Sequence, residues 1–242
     1  MKKLVIIPTY NERENVSRMI SKVMSLDGAF DLLVVDDGSP DGTGGIVRQR
    51  QGEVPGRLHL LERSGKLGLG TAYIAGFRWA SERPYDAVFE MDCDFSHNPD
   101  DLLRLAAALE EGADVAVGSR YARGVNVVDW PMSRLLISYF ASRYVRAVTR
   151  MPVRDATAGF VGYRRRVLEA IDLGRVRMNG YGFQIEMKYT AWRLGFWIEE
   201  VSIIFIDRTE GTSKMSGGIF GEAFFGVMAL PFRRIAAAKK PD

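Results

Sequence analysis

A chain of 242 residues with 47% hydrophobic content can bury one sizeable core and need not be divided, and no linker, repeat or low-complexity segment interrupts it. Its formal net charge of +3 is mildly basic, which suits phosphorylated substrates or an anionic lipid surface and is too weak to argue for nucleic acid. One cysteine excludes an internal disulfide, and with no signal-type run at Met1-Lys2-Lys3-Leu4 the expected compartment is the cytoplasm.

Taken in chain order, Leu4-Val5-Ile6-Ile7 predicts a short buried strand, stopped by Pro8 and the polar turn Thr9-Tyr10-Asn11-Glu12. A helix follows through Val16, Met19, Ile20 and Val23. A second strand over 31–35 runs into Asp36-Asp37-Gly38-Ser39-Pro40-Asp41-Gly42-Thr43. Then come a strand at 58–61, the loop Arg63-Ser64-Gly65-Lys66-Leu67-Gly68-Leu69-Gly70 and a helix over 71–81. The apolar stretch 85–91 leads into Asp92-Cys93-Asp94, a helix spans about 99–111, and Asp114-Val115-Ala116-Val117-Gly118-Ser119-Arg120 closes the series. Strands alternating with helices imply a mostly parallel sheet covered on both faces. In such open sheets ligands bind beyond the carboxyl ends of the strands, where all four polar clusters fall.

Asp92 and Asp94 are the most informative pair. Along a strand, residues i and i+2 point to the same side, so a strand ending here delivers two carboxylates to one point. Their repulsion is resolved by a divalent cation: hard oxygen ligands suit Mg2+ or Mn2+, and a nucleotide diphosphate can complete the shell. Asp-x-Asp by itself also occurs in many solvated loops. Cys93 reads as a small residue between two ligands and not as a nucleophile. His97-Asn98-Pro99 reads as a turn before a helix. Asp36 and Asp37 could equally cap an Asp-Gly turn. Gly68 and Gly70, beside Lys66, leave room for close approach of backbone to phosphate, but the spacing is not that of a P-loop.

Five segments in this order, Val5 to Glu12, Val34 to Thr43, Lys66 to Ala72, Met91 to His97 and Gly118 to Tyr121, resemble the inverting GT-A glycosyltransferases of family 2, specifically the dolichol-phosphate (polyprenyl-phosphate) mannosyltransferases. The resemblance covers the chain from Lys3 to about Ser216. It implies an α/β fold of GT-A (Rossmann-like) type in a single domain, with residues 1–216 catalytic and 217–242 an amphipathic, basic tail suited to a membrane interface. It also implies site roles. Pro8, Tyr10, Glu12, Asp37, Lys66, Gly68 and Arg120 resemble residues that hold the donor nucleotide. Asp92, Asp94 and Ser96 resemble the metal site, with Asp94 the main ligand and a catalytic residue. Arg134 resembles the catalytic residue that grips the acceptor phosphate, and Arg208 with Lys214 a lid over the donor diphosphate. Relatives that carry serine where this chain has Ala158 have a hydroxyl that is missing here.

Placed on a helix, Leu136, Ile137, Phe140, Tyr144 and Val148 share one face, while Arg143, Arg146 and Arg150 gather on another. Such a helix either packs on the sheet or lies at the interface of an anionic bilayer. Residues 219–230 are apolar except for Glu222, too short for the ~20 residues of a spanning helix, and are followed by Arg233, Arg234, Lys239 and Lys240. The expected partners are GDP-mannose, dolichyl or polyprenyl phosphate, a membrane surface at its cytoplasmic face and a possible membrane-spanning tether protein, with no nucleic acid. The expected reaction is inverting transfer of mannose. The alternatives are a UDP-glucose-dependent polyprenyl-phosphate glucosyltransferase, a non-catalytic subunit that binds sugar nucleotide, and a nucleotidyltransferase, although Ile7 to Glu12 is not the glycine-rich, lysine-bearing loop the last of these needs.

Overall fold

The structure, a computed structural model, describes residues 1–207, 218–233 and 235. Alternation along its central strands sets which side chain enters which core. In β1 (Lys3–Thr9), Val5 and Ile7 join one apolar cluster and Leu4 and Ile6 the other. β2 (Phe30–Asp36) repeats the division with Leu32 and Val34 against Leu33 and Val35. A strand buried on both faces needs a helix layer on each. α1 (Arg13–Met24), α2 (Thr43–Gln51) and α4 (Asp101–Glu110) supply one layer, with Val16, Met19, Val47, Leu102 and Leu105 in the first cluster. α3 (Leu69–Ser81), α6 (Arg165–Ala170) and α7 (Gly180–Arg193) supply the other through Tyr73, Phe77, Val167 and Phe183.

With β3 (Leu58–Glu62), β4 (Ala87–Glu90), β5 (Val115–Ser119), β7 (Val161–Arg164) and β8 (Ile198–Ser202), the main sheet runs β3-β2-β1-β4-β7-β5-β8. Every pairing is parallel except those of β7, which is antiparallel to β4 and β5. The chain winds outward from β1 to β3 and returns to β4 on the other side of β1, so the strand order reverses between β1 and β4. That reversal opens a crevice at their carboxyl ends. β6 (Val127–Val128) and β9 (Phe205–Ile206) form a separate parallel pair. α5 (Met132–Thr149), α7 and α8 (Gly218–Ala229) share a third cluster around Val145, Met178, Tyr189 and Val227.

Several elements differ from the sequence reading. Pro8 does not stop β1, because β4 pairs with β1 only as far as Ile6 and the missing N–H costs no ladder bond on that side. α2 has no counterpart in that reading: Gly44 and Gly45 weaken its periodicity, and its buried residues are Thr43, Gly44 and Val47. β4 ends at Glu90, so Asp92 and Asp94 sit in the turn after the strand, with Phe95 at φ +59°, and not on the strand's pleat. Glu200 to Arg208 reads in the sequence as one outer strand, but the described part of it divides: β8 takes the sheet edge, and the chain then crosses to β9. On α5, Tyr144 and Val148 turn inward to the third cluster while Leu136, Ile137 and Phe140 stay exposed.

Candidate active site

The donor-side candidates are fixed by turns that follow β1, β2 and β3. Asp36 accepts from Thr9 Oγ1 at 2.9 Å, Ser39 Oγ at 2.6 Å and Ser39 N–H at 3.0 Å, so it is the carboxylate that builds the turn. Asp37 is thereby left to face Arg63, whose Nη1 lies 2.9 Å from its Oδ1 in an ion pair without hydrogen-bond geometry. Burial raises the Asp37 pKa against the pull of Arg63. Gly38, at φ +68°, carries the chain past the Arg63 carbonyl, where a Cβ would sit at 3.2 Å. Glu12 N–H donates to Thr43 Oγ1 at 3.0 Å, and Glu12 Oε2 accepts from Asn15 Nδ2 at 3.0 Å. Lys66 Nζ stands 5.2 Å from the centre of the Tyr10 ring, and Gly68, at φ +100°, caps the start of α3. Pro8 precedes this group in β1, its register partner being Val35.

Past β4, Asp94 Oδ1 accepts from Ser96 Oγ at 2.6 Å and Ser96 N–H at 3.1 Å, which locks the turn. The Asp92 side chain is about two-fifths exposed (41%), and its N–H donates to His97 Nδ1 at 3.3 Å. His97 is buried, stacks on Phe160 at 5.0 Å, and burial drives its pKa down to about 4, so at neutral pH it is an uncharged acceptor holding the turn. Among the described residues no three His, Cys, Asp or Glu side chains converge on one point. Two carboxylates with a hydroxyl behind one of them are an all-oxygen set, which fits a hard divalent ion that takes its remaining ligands from a phosphate and water.

Asp92, Asp94, Ser96, Arg120 and Arg134 line one cleft of about 90 Å³, together with Trp130, Gly159, Tyr181 and Gln184. Arg120, buried after β5, binds Asp155 in a fork: Nε to Oδ2 at 2.7 Å and Nη2 to Oδ1 at 2.6 Å, with Nη2 also 2.9 Å from Thr157 Oγ1. Burial would raise the Asp155 pKa, but the guanidinium and its hydrogen bonds outweigh it and hold the carboxyl below its usual value. Arg134, in the first turn of α5, donates to Asp207 at 2.6 Å and lies 4.2 Å from the centre of the Trp130 ring. Trp130 also faces Arg120 at 5.4 Å, and its indole N–H has no hydrogen-bond partner among the described residues.

Beneath the cleft, Glu90 and Lys188 are both fully buried. Burial pushes Glu90 up to about 8 and Lys188 down to about 8, while each one's charge favours the ionised form of the other. Lys188 Nζ donates to the Ala158 carbonyl at 2.7 Å and so holds the segment that ends at Gly159.

The structure thus gathers the metal candidates with Arg120 and Arg134, and sets Pro8, Tyr10, Glu12, Asp37, Lys66 and Gly68 at the neighbouring strand ends. Arg208 and Lys214 lie outside the described residues. Sequence reasoning placed Asp155 and Trp130 only within segments that resemble the acceptor and sugar side, and gave no individual role to either or to Asp207, Glu90 and Lys188. A glutamate inside an apolar strand and a lysine inside a buried helix were the available signals for the last two; nothing local marks the others as partners of distant arginines.

A family model described as glycosyl transferase family 2 matches residues 4–172. The chain is 48% identical over 224 residues to the polyprenol monophosphomannose synthase of Mycolicibacterium smegmatis, covering 93% of this chain and 84% of that protein. It is 48% identical over 227 residues to the undecaprenyl-phosphate mannosyltransferase of Micrococcus luteus, covering 94% and 93%. Identity to the dolichol-phosphate mannosyltransferase of Pyrococcus furiosus is 36% over 221 residues, 90% of this chain and 60% of that one. The fold is similar to that of glucosyl-3-phosphoglycerate synthase from Mycobacterium tuberculosis, crystallised with Mn2+, UDP and glucosyl-3-phosphoglycerate, at a TM-score of 0.65, 20% identity and coverage of 95% and 78%.

Proposed function

For a chain that belongs to glycosyl transferase family 2, and within it to the polyprenyl-phosphate mannosyltransferases, we propose that the mannose comes from GDP-mannose, that the acceptor is dolichyl or another polyprenyl phosphate, and that transfer inverts the anomeric carbon. The observation that carries this reading is one cleft lined by both the Asp92 and Asp94 carboxylates and the Arg120 and Arg134 guanidinium groups. Carboxylates suit a metal-bound donor, and guanidinium suits an acceptor that is itself an anion.

A lipid monophosphate is charged at neutral pH, so its attacking oxygen needs no base to deprotonate it. The work that remains is to set this oxygen in line behind the anomeric carbon and to exclude competing geometries. Arg134 is suited to hold the acceptor phosphate, since Asp207 and Trp130 fix its guanidinium at the cleft and leave further N–H donors for phosphate oxygens. Asp37 is assigned the base, with Tyr10, Lys66 and Gly68 shaping the nucleotide pocket around it. Asp92 and Asp94 would hold Mg2+ or Mn2+, with Ser96 orienting Asp94. When bound, the ion supplies charge neutralisation to the departing diphosphate. Arg208 and Lys214 are assigned to the closing lid.

No helix among the described residues is long and apolar enough to cross a membrane. Leu136, Ile137 and Phe140 on α5 are exposed, as are Phe224, Phe225 and Met228 on α8, and Tyr144 stacks on Phe224 at 4.7 Å to join the two helices. Arg143, Arg146 and Arg150 follow along α5. An apolar surface edged by arginines suits a peripheral protein resting on the anionic, cytoplasmic face of a bilayer. The 217–242 segment is assigned to this surface, and a membrane-spanning tether is a proposed partner.

The test is a transfer assay with labelled GDP-mannose, polyprenyl phosphate and Mn2+, reading lipid-extractable label with and without chelator. Label that appears in the lipid and vanishes with chelator supports the reading. Lipid label from UDP-glucose in place of GDP-mannose would favour the glucosyl alternative, and none from either donor would favour a binding subunit.

A further inference from the structure

Lys188, midway along α7, is fully buried beneath the cleft, where burial opposes its charge and the carboxylates of Glu90 and Asp155 favour it. Its hydrogen bond goes to neither of them. Nζ donates to the Ala158 carbonyl at 2.7 Å, while both oxygens of Glu90 are without a hydrogen bond. A buried main-chain carbonyl needs a donor, and that of Ala158 lies outside the sheet, because β7 begins only at Val161. The stretch so held is a wall of the cleft, lined by Thr157, Ala158 and Gly159. On one side it is tied by the fork of Arg120 on Asp155, and on the other by Phe160, whose carbonyl accepts from the Gly118 N–H at 2.8 Å. Between those ties the Ala158 N–H reaches the Asp155 carbonyl at 3.3 Å, a long bond, and the lysine supplies the short one. Thr157 Oγ1 in turn accepts from Arg120 Nη2 at 2.9 Å.

We propose that Lys188 is a positioning residue for the transfer step: from beneath the cleft it fixes the wall from Thr157 to Gly159 and, through Thr157, the placement of the Arg120 guanidinium. The inference rests on the reading of this cleft as the place where donor and acceptor meet. Lys188 lines no part of the cleft itself and acts through the main chain of Ala158. A lysine retained only to neutralise Glu90 would donate to that carboxylate, and this one donates to the wall. Arg120 keeps its charge at the cleft through the Asp155 fork whether or not the wall is fixed, so what Lys188 controls is geometry and not the presence of the cation. Geometry is costly to lose here, since a misplacement on the order of 1 Å lowers a rate about a hundredfold.

Lys188→Met keeps an unbranched stem and removes the donor. Glu90→Gln/Lys188→Met does the same without stranding a buried carboxylate, so it decides the matter if the single variant does not fold. In either, kcat for transfer from GDP-mannose to polyprenyl phosphate should fall about tenfold to a hundredfold, while affinity for GDP and KM for GDP-mannose stay near those of the wild type. Thr157→Val removes the hydroxyl that meets Arg120 and should also lower kcat. Because the lysine acts through that contact, Lys188→Met/Thr157→Val should lose no more than the worse of its two single variants. Three results overturn the proposal: wild-type kcat in both lysine variants; a lower melting temperature with GDP affinity and kcat reduced alike, which marks a purely structural lysine; or losses from Lys188→Met and Thr157→Val that multiply in the double variant. Should the wild-type enzyme refuse GDP-mannose and use UDP-glucose, the donor reading falls, and the same comparison made with UDP and UDP-glucose decides the role of Lys188.

Discussion

From β3 to β4 every strand is parallel, and each polar cluster follows its own strand within a few residues. Across β7, β5 and β8 the cleft is instead assembled from pairs distant in the chain: Arg120 with Asp155, Arg134 with Asp207, and the backbone N–H groups of Arg154 and Asp155 with Glu200. The first region is held by turn chemistry, as when Asp36 collects Thr9 and Ser39 or Asp94 collects Ser96. The second is held by ion pairs and charge-assisted hydrogen bonds between segments distant in the chain. The difference teaches where each is vulnerable. Cutting Asp92 or Asp94 in the first region removes chemistry and at most loosens one local turn, whereas cutting Asp155 in the second breaks a connection between elements distant in the chain.

The largest expected effect belongs to the first region. Asp94→Ala or Asp92→Ala should lower turnover by about a thousandfold in saturating Mn2+, because a charge-stabilising ligand is lost where the leaving group departs. The melting temperature should move only a few degrees, since removing one of two neighbouring anions relieves repulsion. Near-normal turnover of Asp94→Ala would remove the metal assignment.

In the second region Asp155→Asn should act on stability. It leaves a buried guanidinium without its counter-charge, a change that costs about 3–5 kcal/mol in buried pairs of this kind. Chemical denaturation should read that loss directly. The same pair sets an acid limit. Because the folded pKa of Asp155 is below its ordinary 3.8, its contribution is complete above that value and is lost as the pH falls through the folded pKa. Wild-type unfolding free energy should therefore drop below about pH 4 more steeply than that of Asp155→Asn; parallel curves would refute the pairing.

How far each region could be read from sequence follows from the same contrast. The strand-end turns of the first region were legible because turns are local: Asp36-Asp37-Gly38-Ser39 and Asp92-Cys93-Asp94-Phe95-Ser96 contain most of their own partners. β7 was not, since four residues are too few to show alternation and its antiparallel direction is set by a loop that returns from α5. Asp155 and Asp207 carry no mark in their neighbourhoods of the arginines 35 and 73 residues away. The amphipathic reading of α5 identified its exposed apolar residues but misplaced Tyr144 and Val148, because a helical wheel does not reveal that a second helix covers one flank.

Smaller effects sharpen the boundary between the regions. Ser96→Ala keeps both carboxylates but frees Asp94 to rotate, and should weaken Mn2+ activation about tenfold to a hundredfold, the range for residues that orient metal ligands. Titration of activity with Mn2+ reads it, and an unchanged midpoint would contradict the orienting role. At the outer surface Phe225→Ser, 71% exposed, should change stability by less than about 0.5 kcal/mol while lowering sedimentation with anionic vesicles a few-fold. Equal sedimentation of the two proteins would remove α8 from the membrane face.

The division of labour across the cleft is tested most directly by GDP binding, measured by calorimetry with Mn2+ for the wild type, Asp37→Asn and Arg134→Ala. Asp37→Asn should weaken GDP binding about tenfold, since the assigned contact to the base is lost. Arg134→Ala should bind GDP as the wild type does, even though its use of lipid phosphate falls about tenfold to a hundredfold. Equal loss of GDP affinity in both variants would place Arg134 on the donor and contradict the account.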